Sequence, residues 1–164
     1  MKKKILSAGK DYTHMLTGFK EVILKSGIRK NGCLIFAGCP GPCCSMATFF
    51  SFGIRDLGLN LFFAVNADID QLWRLEFDQN RGVAATSKED PLKAEVVVLM
   101  SGLCSIPIEK TVDFLKEGLS EDGVIIGEAP APGFFEEKGW DKKIRFNFFF
   151  EFSMHNPTSF EVDY

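Results

Sequence analysis

The stretch "CLIFAGCPGPCCSMATFF", residues 33–50, decides how the rest of the chain is interpreted. Its first part, "CLIFA" (33–37), is an apolar run typical of a strand buried on both faces of a parallel sheet. The segment 38–45 that follows is rich in glycine and proline and indicates a tight turn, with Pro42 suited to the first position of a helix. Apolar residues then recur at helical spacing, at Met46, Phe49, Phe50, Ile54 and Leu57. The stretch therefore predicts a strand, a loop and a helix in succession.

Strands and helices alternate on either side of this unit. An amphipathic helix is expected over 11–25, before the first strand. Four more apolar runs predict strands two to five, at 59–65, 82–86, 95–100 and 123–129. Helical spacing predicts further helices around 69–77 and 108–119. This alternation indicates right-handed βαβ units and a mostly parallel sheet.

The C-terminal stretch from Ile144 to Met154 has a period of two. Phenylalanines at 146, 148, 150 and 152 form a dry face, and Phe149 falls on the wetter one. The pattern predicts a last strand near the sheet edge, antiparallel to its neighbour. Its apolar face either packs under a helix of its own chain or pairs two chains as a homodimer.

Taken together, these elements predict an α/β fold with a Rossmann-like, doubly wound sheet and helices on both faces. The expected strand order is 3-2-1-4-5, with the C-terminal strand appended. The chain of 164 residues is long enough for one domain, which is expected to span 1–164.

Charge and hydropathy exclude several classes of protein. A net charge of -3 argues against nucleic acid as a partner, because binding phosphates needs a basic surface. The start "MKKKILSAGK" lacks the long apolar core of a secretory signal, and no apolar run approaches the ~20 residues that span a bilayer. A cytoplasmic protein without a membrane partner is therefore expected. Its five cysteines are expected to be mainly reduced thiols.

In doubly wound sheets, ligands bind beyond the carboxyl ends of the strands, where the strand order reverses. A small nucleotide-like or anionic ligand is expected there, because the start of a helix offers unpaired N–H groups and a partial positive charge. Asp68, after the second strand, would contact a ribose hydroxyl or cap the following helix. The spacing matches neither G-x-G-x-x-G nor the lysine-bearing phosphate loop, so the identity of any cofactor is left open. The predicted ligand-binding residues are Gly38, Cys39, Gly41, Cys43, Ser45, Asp68, Ser101 and Gly102.

The cysteines of this edge support an alternative. Cys39, Cys43 and Cys44 cluster at the predicted helix start, and Cys104 is expected to approach them from the end of strand four. Four soft thiolates would suit a metal or a redox function. The C-x3-C-C spacing is not usual for structural zinc, however, and adjacent cysteines on a helix point in different directions. Small buried packing residues are the other interpretation.

Glu128 is the candidate catalytic residue. It ends a buried strand, where poor solvation would raise the pKa of its carboxyl into the range useful for acid–base catalysis. A helix cap at the periphery of the site, or a structural hydrogen bond to the neighbouring loop, is the alternative. Whether the protein is an enzyme is left open. Three hypotheses follow: a small-ligand-binding protein, a thiolate metal or redox protein, and a non-catalytic assembly partner.

Two resemblances bear on these expectations. With "CLIFAGCPGPCCSMATFF", "AEVVVLMSGL" and "EAPAPGFFEEKGWDKKIRFNFFFEFSM", the chain resembles an uncharacterised archaeal family typical of methanogens, over nearly its whole length. That resemblance implies an archaeal protein and assigns no activity. The architecture is also similar to class I methyltransferases, with Gly38, Gly41 and Asp68 matching in place. Ala37 stands where those enzymes usually have an acidic residue, so this second resemblance concerns architecture alone.

Overall fold

A sheet of seven strands forms the centre of the chain, seen in a computed structural model that describes residues 2–153, 159 and 161. The strands are β1 (Cys33–Gly38), β2 (Asn60–Val65), β3 (Leu72–Asp78), β4 (Gly82–Glu89), β5 (Ala94–Met100), β6 (Leu119–Ala129) and β7 (Phe148–Glu151). The helices are α1 (Tyr12–Lys25), α2 (Pro42–Gly53), α3 (Ile108–Gly118) and α4 (Phe134–Glu137). Among these described residues, no helix is long and apolar enough to cross a membrane.

The order of the strands is β4-β3-β2-β1-β5-β6-β7. β1 lies between β2 and β5 and is parallel to both, and β5 is parallel to β6. The chain therefore reverses its direction of progress across the sheet between β1 and β5, as in a doubly wound α/β fold. The α/β class, the mostly parallel sheet and the relative order of the five predicted strands are confirmed.

The prediction of a helix around 69–77 is wrong, because this segment is a short 3-10 turn (Ile69–Gln71) followed by strand β3. β3 pairs antiparallel with β2 and with β4, which places it between the second and third predicted strands. The side chain of Asp78 accepts hydrogen bonds from the N–H groups of Asn80 and Arg81, and Gly82 follows at φ +78°. This turn favours a hairpin, which the helical spacing of the apolar residues concealed.

The expected antiparallel orientation of the last strand is also wrong, since β7 pairs with β6 in parallel, from Phe148 to Glu151. Between the two strands the chain passes through α4 and a 3-10 turn (Trp140–Lys142). Such a crossover brings the chain back to the starting end of the sheet, so the new strand enters in the same direction. The predicted strand from Ile144 to Met154 is shorter in the structure, and Met154 lies outside the described residues.

Each face of the sheet is covered by its own core. α1 and α2 pack on one face, which we call the α2 face, through buried side chains such as Phe19, Phe36 and Phe50. α3 and α4 pack on the other, the α3 face, through side chains such as Phe114 and Phe135. The strands contribute alternate residues to the two cores, as their pleat requires. The helices on both faces confirm the expected layering.

Phe149 belongs to the α3 face and is not on a wet surface. Its ring lies 4.7 Å from that of Phe146 and 6.1 Å from that of Phe135, and the Lys3 ammonium is 4.6 Å from its centre. We expect Phe149→Glu to lose about 2 kcal/mol of unfolding free energy in urea, because the carboxylate forfeits this packing. Phe149→Leu, the control, keeps most of the apolar contact and should lose less.

A change within about 0.5 kcal/mol for Phe149→Glu would contradict this packing. The homodimer predicted from the C-terminal strand stays a prediction, and light scattering of the unmodified chain tests it separately.

Candidate functional site

The carboxyl ends of β1, β5 and β6 meet at one edge of the sheet and carry the residues of interest. Gly38 ends β1, Met100 ends β5, and Glu128 is the penultimate residue of β6. Met100 is the register partner of Glu128, and Ala37 is that of Leu99, so Gly38, Met100 and Glu128 form one row across the sheet. Residues in such a row point to the same face, here the α2 face.

Cys39 and Cys43 form a thiol pair above this row. Their sulfur atoms are 3.1 Å apart, with Cys43 6% exposed and Cys39 half-buried. Gly41, between them, adopts φ +79°, and α2 begins at Pro42 as expected. A side chain would be strained at Gly41, so this glycine permits the turn that brings the two sulfurs together.

Two glycines leave the space that the thiols occupy. A Cβ on Gly102 would overlap the Cys39 sulfur and lie 2.5 Å from the Cys43 sulfur. A Cβ on Gly38 would overlap Cys43 and lie 3.2 Å from the Met100 sulfur. Gly38 and Gly102 were predicted as ligand contacts. In the structure both allow close approach to the cysteine pair.

Burial is the main influence on the pKa of the Cys43 thiol. Loss of solvent, and secondarily the contact with the Cys39 sulfur, raise the pKa of Cys43 to about 12. The main-chain N–H groups of Cys39 and Gly102 face this sulfur and act in the opposite direction, toward the thiolate. Cys43 is therefore a protonated thiol at neutral pH, with two donors already placed to stabilise its anion.

The other cysteines lie apart from the pair. Cys104 packs on the α3 face, so the expectation that it approaches Cys43 across the sheet edge is wrong. Burial raises the pKa of Cys104 to about 11 and also raises that of Cys44, which packs partly buried against the α2-face core. Over the described residues, no three His, Cys, Asp or Glu side chains gather to hold a metal ion.

Glu128 is a buried carboxyl without a cationic partner. It is 2% exposed, and burial raises its pKa to about 7, opposed only by a hydrogen bond from the Ser101 main chain. Over residues 2–153, no lysine or arginine makes a hydrogen bond or ion pair with it. Glu128 can therefore take up and release a proton near neutral pH.

The remaining predicted residues have simpler positions. Asp68 caps the 3-10 turn after β2, accepting a hydrogen bond from the N–H of Asp70 at 3.0 Å, which is the capping role considered for it. Ser45 lies exposed on the first turn of α2. Ser101 and Gly102 begin a 3-10 turn (Ser101–Ser105) directly after β5. These two residues join the cysteine pair to Glu128.

The structure also contains a cavity, away from the cysteine pair, that the sequence did not predict. It has a volume of about 480 Å³ and lies between residues 2–7, α1 and β7, with Ile5, Val22 and Phe148 in its wall. Lys3 in the same wall pairs with Glu136 and Glu151. A basic N-terminal run followed by apolar residues gives no signal that it will pack beside a strand so distant in sequence.

The family described as "uncharacterized protein conserved in archaea (DUF2124)" matches residues 10–155. The chain belongs to this archaeal family. A crystal structure of a protein of unknown function from Methanothermobacter thermautotrophicus has the same fold, with a TM-score of 0.84 at 22% identity, covering 98% of this chain and 100% of the other. No curated protein matches. The predicted resemblance to an uncharacterised methanogen family is thereby confirmed.

Proposed function

We propose that this DUF2124 protein is a thiol–disulfide exchange protein whose reactive group is the Cys39–Cys43 pair. The observation that carries the proposal is the contact between the two sulfurs at 3.1 Å. A disulfide needs about 2.05 Å between its sulfurs, so the two atoms must approach by about 1 Å to form the bond. In the predicted cytoplasmic location the pair would rest as a dithiol.

The difference in exposure between the two thiols divides the reaction into two steps. Cys39, the more accessible, attacks a sulfur of a substrate disulfide; a new S–S bond forms, the substrate bond breaks, and the first substrate thiolate leaves. Buried Cys43 then attacks the Cys39 sulfur and expels the second thiolate. The protein dithiol loses two electrons and the substrate disulfide gains them.

Oxidation with glutathione disulfide tests this proposal. We expect peptide mapping to locate one new disulfide, between Cys39 and Cys43. In Cys43→Ser the reaction should stop at a glutathione adduct on Cys39, because the second thiol is missing. Cys44→Ser is the matched control, since it removes the adjacent cysteine and should leave the disulfide intact. A wild-type chain that forms no Cys39–Cys43 bond would contradict the proposal.

A second candidate function is the binding of a small anionic or nucleotide-like ligand at the first turn of α2. Gly41 provides no side-chain cap for this helix, and Ser45 lies exposed beside its start. Uncapped N–H groups and the helix dipole attract anions. A thermal-shift series with adenine nucleotides, dinucleotides and S-adenosylmethionine tests it, because a ligand at 100 times its Kd stabilises by about 2.7 kcal/mol. No shift with any of them would remove this candidate.

A further inference from the structure

Adjacent peptide groups of one turn connect the buried carboxyl to the thiol pair. The main-chain N–H of Ser101 faces the Glu128 carboxyl, and that of the next residue, Gly102, faces the Cys43 sulfur. Gly102 also has the two cysteine sulfurs against its Cα, where a side chain would overlap them. Glu128 and Cys43 therefore both lie against the main chain at the start of the turn after β5.

The row of residues across the sheet also places the Glu128 carboxyl on the same face as Cys43. Glu128 and Gly38 are separated by one strand, at Met100, so their backbones lie about 10 Å apart at the usual spacing of strands. The Glu128 side chain projects to the α2 face, and Cys43 sits directly over Gly38 on that same face. The glutamate side chain covers part of that separation, and because Glu128 and Cys43 make no hydrogen bond with each other, an intervening water is the route for a proton.

The described elements that pack around Glu128 engage several of their charged side chains in other pairs. α2 contains no charged residue. Four charged side chains of the other neighbouring elements are engaged elsewhere: Lys20 of α1 with Asp56, His14 of α1 with Asp11, Glu95 of β5 with Arg29, and Glu151 of β7 with Lys3. Phe150, the register partner of Glu128 on β7, is apolar. Among the residues that the structure describes, Cys43 and Cys39 are the thiols at this end of the α2 face with which the carboxyl can exchange a proton.

We propose that Glu128 is the proton acceptor for Cys43 in the second step of disulfide exchange. When Cys43 attacks the Cys39–substrate disulfide, the Cys43 proton passes to the Glu128 carboxylate. The Cys39–Cys43 bond forms, the bond from Cys39 to the substrate breaks, and its electron pair leaves with the substrate thiolate. In the reverse direction, Glu128 returns the proton to Cys43. This inference rests on the proposed function.

In the experiment, the protein is mixed with glutathione disulfide and the reaction is stopped with acid after set times. The quantity measured is the amount of glutathione adduct on Cys39. In the unmodified chain, we expect conversion of the adduct to the Cys39–Cys43 disulfide to accelerate with pH and level off near pH 7, where Glu128 becomes ionised. In Glu128→Gln, conversion at pH 8 should be slower by about 100-fold and the inflection should disappear, since a general base typically contributes that factor or more. Formation of the adduct itself should change less than about twofold.

Two further variants keep the test decisive. Glu95→Gln removes a carboxylate from β5 at the opposite end of the strand and should leave the conversion unchanged. Glu128→Asp retains a base and should recover part of the rate, which loss of packing alone would not produce. Conversion in Glu128→Gln at the unmodified rate, with the same pH profile, would overturn the inference and leave the dithiol proposal standing. A chain that forms the adduct but never the disulfide would overturn both.

Discussion

Glu128→Gln should make the protein more stable at pH 8, by about 3 kcal/mol, while changing its stability little at pH 4. Burial raises the pKa of Glu128 from its usual 4.5 to about 7. The folded chain therefore holds a proton that the unfolded chain has released between these pH values, so stability falls as pH rises through this window. A pKa difference of this size corresponds to about 3 kcal/mol above pH 7. Glutamine has similar volume and never ionises.

The measurement is the difference in unfolding free energy between the two proteins, from urea titrations at several pH values. Carboxylates with lowered pKa, such as Asp56 and Glu89, make both proteins less stable in acid and cancel in the difference. Glu95→Gln is the control of opposite sign, because Arg29 lowers the pKa of Glu95. A difference that stays flat from pH 4 to pH 8 would mean that Glu128 is solvated in solution.

Phe50→Ala is expected to have the largest effect on stability, a loss of about 4 kcal/mol. Phe50 is fully buried on α2, with its ring 4.6 Å from that of Phe19 and 5.5 Å from that of Phe150. Removing it opens a cavity where α1, α2 and β7 meet, and rigid packing around the site prevents full collapse.

The control for this prediction lies two residues away on the same helix. Phe52 is 40% exposed, so Phe52→Ala should cost about 1 kcal/mol or less, mainly through the lost contact with Arg55. Because α2 also carries Cys43, we expect Phe50→Ala to slow closure of the Cys39–Cys43 bond as well. Equal losses for the two variants would show that the aromatic cluster on the α2 face is not packed as described.

The central strands could be predicted because their apolar runs have one interpretation. "CLIFA" and "EVVVLM" are too short and too apolar for surface helices, and each is bounded by turn residues. The helix prediction for 69–77 is wrong because Ile69, Leu72, Trp73 and Phe77 satisfy helical spacing by coincidence. The deciding information lay in "DQNRG", a turn that the helical interpretation left unused.

The candidate site was predictable only in part, for a geometric reason. The rule for doubly wound sheets brings the end of β1 to the end of β5, which is enough to group Cys39 and Cys43 with Gly102. It does not say to which face a side chain after the strand end will turn. Cys104 was therefore expected near the pair, although the turn after β5 directs it to the α3 face. Glu128 was expected to be poorly solvated on the same edge, but its link to the thiols through Ser101 and Gly102 is a main-chain feature without a sequence signal.

The pairing of β1 with β5 has a consequence for synthesis of the chain on the ribosome. Hairpin β3–β4 forms from neighbouring residues, whereas β1 must wait for β5, which emerges much later. Until then neither Gly102 nor the closed α2 face covers the two cysteines, and their thiols have the reactivity of free cysteine. A nascent chain thus exposes Cys43 directly to oxidants, whereas in the folded protein this thiol is buried and Cys39 is the accessible member of the pair. Slow translation between β2 and β5 would lengthen this exposure.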